Sequence, residues 1–165
     1  MPRRSLPAQV LGLMAWLALA FTTAAVGAVA SVEAGSFYRQ LLRPEWAPPA
    51  SAFGPVWTVL YLMMGVAAWL AWRERGAARL GLALGMFVAQ LIVNALWSWL
   101  FFVWHLGAWA FLDALLLLAL VAGTMTLFWR IHRLAGLLLL PYLAWVGFAS
   151  ALTWSVWRNN PTLLF

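Results

Sequence analysis

The sequence predicts an all-α membrane protein, one domain over residues 1–165 built as a bundle of five transmembrane helices, and three observations carry that prediction. Hydrophobic residues make up 66% of the chain and charged residues 8%, with a mean hydropathy of +0.91, whereas soluble domains carry roughly 25% charged residues. Five apolar runs, 6–30, 55–72, 80–104, 108–129 and 134–157, reach or approach the about 20 residues that a helix needs to cross a bilayer. None of them alternates with the two-residue period of a barrel strand, and isolated strands in hydrocarbon would leave backbone groups unpaired.

The first run follows Arg3 and Arg4 and contains small residues, so a cleaved leader competes with a retained span; 6–30 is long for the apolar part of a leader, which favours the span. The one long connection, 31–54, contains Arg43-Pro44-Glu45-Trp46-Ala47-Pro48-Pro49. Consecutive prolines fix φ and remove donors, so this segment is expected to be a stiff, extended strap able to close a cavity. Pro55 is expected at the first position of the second helix, where a missing N–H costs nothing. The remaining connections, 73–79, 105–107 and 130–133, are short and force antiparallel neighbours. In the fifth run Pro141 removes a backbone hydrogen bond and kinks the helix, spreading the bundle at one end. The polar tail 158–161 is read as a simple stop.

All ten basic residues are arginines, against four acids, for a net charge of +6. They lie at span ends with no basic cluster, which argues against nucleic acid and for topology signals. Arg3, Arg4, Arg73, Arg75, Arg79, Arg130 and Arg133 fall on one side, and Arg39, Arg43 and Arg158 on the other. In a bacterial cell membrane the positive-inside rule would place the N-terminus in the cytoplasm; an outer or organellar membrane would void that inference.

Within the spans, Gln90, Asn94 and Ser98 share one helix face, as glue to a neighbouring helix or as ligand contacts. Asp113 is the only acid inside a span, hence either functional or capping a nearby loop. Tyr142, Trp145, Ala149 and Leu152 follow helical spacing; a Trp one turn from an Ala leaves a slot for a flat ring, although ordinary packing gives the same stripe. Gly81 and Gly85 have the small-xxx-small spacing of close helix pairs and give weak support to a homodimer.

Classical catalytic sets are missing. There is no cysteine, no Ser/His/Asp set, no phosphate-binding Gly loop and no metal-ligand cluster. His105 and His132 fall on opposite sides of the membrane, although either could serve as an axial ligand to haem iron. Nothing in the residues requires a cofactor or a metal. Thirteen tryptophans exceed what interfacial anchoring needs and suggest a surface for a large planar ligand.

The run from Arg43 to Pro49, followed by Phe53-Gly54-Pro55-Val56-Trp57-Thr58-Val59-Leu60-Tyr61, resembles the signature of the translocator protein family, also called tryptophan-rich sensory proteins or peripheral-type benzodiazepine receptors. Asn94-Ala95-Leu96-Trp97 with Phe101-Phe102, Trp109 with Asp113, and Pro141-Tyr142-Leu143-Ala144-Trp145 follow in the family's order. The resemblance implies a five-helix bundle, usually a homodimer, that binds porphyrins such as protoporphyrin IX and haem, as well as synthetic benzodiazepines and isoquinoline carboxamides. It implies a pocket of Gly27, Ala30, Trp46, Phe53, Trp57, Tyr61, Asn94, Trp97, Trp109, Trp145, Ala149 and Leu152. It further implies light-dependent protoporphyrin breakdown, with Trp57 and Trp145 as the participating tryptophans. Sterol is disfavoured as the ligand, because Trp154 stands where the sterol pattern of animal members has Tyr. A scaffold or regulator that recruits a partner, or a sterol or lipid transport protein, is the alternative. The other eight tryptophans, Trp16, Trp69, Trp72, Trp99, Trp104, Trp129, Trp154 and Trp157, are expected to be packing residues or interfacial anchors.

Overall fold

A computed structural model describes residues 5–165; the topology reading of Arg3 and Arg4 lies outside the described residues. Among the described residues, seven α-helices occur in the order α1 Leu6–Ala30, α2 Ala34–Gln40, α3 Phe53–Arg73, α4 Leu80–Ser98, α5 Gly107–Ile131, α6 Arg133–Leu138 and α7 Leu140–Asn159. They make five spans long and apolar enough to cross a membrane, with α6 and α7 forming the fifth and with a π-turn, Trp99–Val103, completing the third. The chain is a multi-pass integral membrane protein.

Small residues let the first span sit close. On α1 the buried positions are Gly12, Ala20, Thr23, Gly27 and Ala30, one stripe at helical spacing that faces α3 and α4. A Cβ on Gly12 would run into the Trp72 ring, and one on Gly65 of α3 into Leu17, so both glycines are there for close approach. The core proper lies between α3, α4, α5 and the fifth span, around Met64, Phe87, Leu91, Val121, Phe128 and Tyr142. Hydroxyls inside the spans are satisfied locally: Thr22, Thr124, Thr126, Ser150 and Thr153 each donate to the carbonyl four residues earlier.

Four expectations change. The strap is not extended throughout, because α2 forms within it; Phe37, Tyr38 and Leu41 bury one face of that short helix. The stretch after Gln40 has no regular structure up to a 3₁₀ turn at Ala50–Ala52, and it is itself bent by a turn in which Ala47 N–H donates to the Pro44 carbonyl (3.0 Å). The second span begins at Phe53, so Pro55 sits two residues into it, still in the first turn where backbone N–H groups have no helical partner. Near Pro141 the fifth span is interrupted for one residue, Leu139, which keeps right-handed helical angles, so the expected kink takes the form of a short break, with Pro141 in the first turn of α7; a ring without an N–H is tolerated there. The tail does more than stop the last helix, as Asn160 shows below.

Candidate functional site

The strap, α3 and α7 bring one set of rings together. Trp57 packs edge-to-face on Trp145, with centroids 6.5 Å apart, and lies 5.5 Å from Tyr61 and 6.2 Å from Tyr142. Phe53 meets Trp145 at 5.9 Å, and Phe148 meets it at 5.5 Å. Trp46 reaches down from the strap to Phe148, centroids 5.6 Å apart, while remaining half exposed. Such pairs add about 0.5–1.5 kcal/mol each beyond the area they bury. Ala149 is half-buried one helical turn after Trp145 on α7, and Leu152 is buried in the neighbouring cluster with Phe37 and Phe101.

Below these rings runs a buried polar chain. Tyr61 donates to Asn94 Oδ1, Asn94 Nδ2 donates to Tyr142 Oη (2.9 Å), and Tyr142 donates to Gln90 Oε1 (2.8 Å). Three spans are thereby tied at one level. Gln90 and Asn94 therefore act as glue, and half of the bonding capacity of the Asn94 amide, one donor and one acceptor site, is already spent on two phenols. Ser98, one turn on, faces Gly27. Asp113 is buried, its Oδ2 has no hydrogen-bond partner, and it neither caps nor pairs with a loop.

The strap is pinned at three places. Leu42 N–H donates to Asn160 Oδ1 (2.8 Å) and Asn160 Nδ2 donates back to the Leu42 carbonyl (3.0 Å). Tyr38 donates to the Pro48 carbonyl (3.1 Å) and packs edge-to-face on Phe53. Burial raises the Tyr38 phenol above its ordinary range, opposed in part by Arg43, whose guanidinium lies 4.6 Å from the ring centroid. Phe37 stacks on His105, 4.3 Å away.

Not every expected position joins this set. Trp97 lies in a second stack, 5.0 Å from Phe101 and 5.6 Å from Phe102. Gly27 and Ala30 are buried on α1, and Trp109 is 62% exposed on the first turn of α5, outside the ring contacts around Trp57. Phe148, Tyr38 and Asn160 were not anticipated at the site, whereas Tyr142 belongs to the stripe read from helical spacing. His105 and His132 flank α5, whose 25 residues separate them by roughly 35 Å at 1.5 Å per residue.

Among the cavities on the bundle surface, two are well enough formed to describe. One, about 290 Å³, is a groove between α1 and α4 lined by Leu19, Thr22, Thr23, Val26, Val88, Leu91, Ile92 and Ala95. The other, about 300 Å³, lies at the end away from the strap. Neither is lined by the rings under the strap, which close on one another.

Residues 13–158 match the model of the TspO/MBR family. The chain is 38% identical to the human "Translocator protein" over 75% of each chain. It is 41% identical to "Protein CrtK" of Rhodobacter capsulatus, over 83% of this chain and 85% of that one. It is 34% identical to the "Tryptophan-rich protein TspO" of Chlorobaculum tepidum, over 93% and 98%. A five-span bundle with its aromatic residues gathered under a pinned strap, matched over most of its length by that model and by these relatives, belongs to the TspO/MBR family.

Proposed function

We propose that the protein binds a tetrapyrrole, protoporphyrin IX or haem, between the strap and the faces of α3 and α7. The observation that carries the reading is the convergence of Trp46, Phe53, Trp57, Trp145 and Phe148 from three elements beneath one removable cover. Flat π-faces and apolar edges suit a macrocycle. Entry requires Trp46 to leave Phe148 and the strap to lift, because the rings are packed together in this conformation. The expected contacts are those of the resemblance, with Trp97 and Gly27 on the α1–α4 side and Trp109 at the rim. The protein requires no cofactor for this; the porphyrin is its ligand, and a second copy of the chain is its expected partner in the membrane.

Trp57 and Trp145 adjoin each other, which favours light- and oxygen-dependent porphyrin breakdown as an accompanying activity, with an indole as electron donor to the excited ring and dioxygen as the oxidant that takes up the electrons. Titration of protoporphyrin IX into the purified protein should quench tryptophan emission saturably, and Trp57→Phe with Trp145→Phe should slow any light-dependent loss of the porphyrin. Emission unchanged at micromolar porphyrin would overturn the binding reading. Equal loss rates in the double variant and the parent would remove the photochemical part alone.

A further inference from the structure

We propose that the end of the bundle opposite the strap holds the headgroup of an anionic phospholipid, in the cavity between the start of α4 and the end of α5. That cavity, about 300 Å³, is lined by Ala77, Ala78, Arg79, Leu127, Arg130 and Ile131. Its two arginines come from different elements and border one space. Neither forms an ion pair with an acidic side chain among the described residues, and Glu74 is the one acid at this end, against Arg73, Arg75, Arg79, Arg130 and Arg133. Arg73 is occupied differently, lying 4.4 Å over the Trp69 ring.

Depth and lining select a lipid over a soluble anion. The cavity sits where the third span begins, at Leu80, and where the fourth ends, at Ile131, the level of headgroups in a bilayer that the spans cross. Two guanidiniums can grip one phosphodiester with paired N–H donors. The remaining lining is apolar and suits the glycerol and first methylenes, while the adjoining turns expose Leu82 (55%) and Leu134 (50%) toward acyl chains. Basic pockets between spans are a recognised way of holding anionic headgroups, and each arginine near such a surface contributes about fivefold in affinity. At the opposite end Arg43 lies over Tyr38 and Arg158 over Trp154 and Trp157, so these two guanidiniums are engaged by rings.

The test is native mass spectrometry of the full-length chain titrated separately with dioleoyl phosphatidylglycerol and dioleoyl phosphatidylcholine. Arg79 has φ 63°, a left-handed conformation that Asn tolerates best after Gly. The informative variant is therefore Arg79→Asn with Arg130→Gln. The parent should retain phosphatidylglycerol preferentially, and the double variant should lose about 25-fold of that preference. Arg39→Gln with Arg158→Gln, at the strap end, should leave it unchanged. Should the double variant not fold, each single substitution is read alone, with about fivefold expected. An undiminished preference in these variants, an equal loss in the strap-end pair, or displacement of the lipid by millimolar inorganic phosphate would each overturn the proposal. None of these readings depends on porphyrin binding.

Discussion

At the strap end, Asn160 and Tyr38 make directional hydrogen bonds to the Leu42 and Pro48 backbone and rings interlock from three elements. At the opposite end, the turn 74–79 is joined by no side-chain hydrogen bond to another element among the described residues. Its arginines border a cavity or face outward. In lipid, apolar packing gains little from the hydrophobic effect, so directional bonds and close contacts decide which parts stay fixed. The strap end spends such bonds on holding the strap over the rings. At the arginine end the spans themselves are tied, Trp69 N–H donating to the Gln9 carbonyl (2.8 Å) and Gly12 lying against the Trp72 ring, while the turn 74–79 carries charge on a short connection, which suits orientation and lipid contact.

Four changes would break or sharpen this contrast. The largest effect is expected from Asn94→Leu, which leaves the Tyr61 and Tyr142 hydroxyls without their amide partner at the level where three spans meet. A loss of about 2–4 kcal/mol in unfolding from mixed micelles is expected, and a loss below about 0.5 kcal/mol would mean that the network is dispensable. Asn160→Leu comes next. It should cost about 1–3 kcal/mol locally, read as faster amide exchange across residues 41–49 with little change in the melting of the spans; uniform exchange across all helices would contradict a separately hinged strap.

A smaller effect is expected from alkali. The Tyr38 phenol is raised by burial, so the folded protein holds that proton more tightly than the unfolded chain does. Its bond to Pro48 therefore contributes fully below the ordinary value near 10 and is lost as pH rises through the raised one. Trp46 emission should shift there, and Tyr38→Phe should abolish the transition; a transition that persists in the variant belongs to another group. The smallest effect is expected from Arg75→Gln, an exposed side chain at the other end, within about 0.5 kcal/mol of the parent. A larger loss would show that the turn 74–79 is held by side-chain bonds after all.

Much of the fold was legible because length and apolarity suffice to identify a span, and the five helical regions depart from expectation by a few residues at their ends. The helix α2 was missed although Phe37, Tyr38 and Leu41 carry its spacing, since the prolines that follow dominate the reading of the loop. The rotation of each span was less legible. A helix that is apolar all round presents no polar face to orient it, and so Trp109 turned outward while Trp57 and Trp145 turned inward. The Tyr61–Asn94–Tyr142 links join residues 33 and 48 positions apart, and the Asn160 clamp joins residues 118 apart. Such pairings depend on tertiary register, which spacing within one helix does not encode.

The central claim is that the ligand site lies under the strap against α3 and α7, and not at the arginine end. It is tested most directly by titrating protoporphyrin IX into the parent, Ala149→Trp, and Arg79→Asn with Arg130→Gln, following tryptophan quenching in one lipid composition. The account predicts saturable quenching in the parent and the arginine variant, and binding weakened roughly tenfold or more by the bulk at 149. Undiminished binding in Ala149→Trp, or loss in the arginine variant alone, would contradict it.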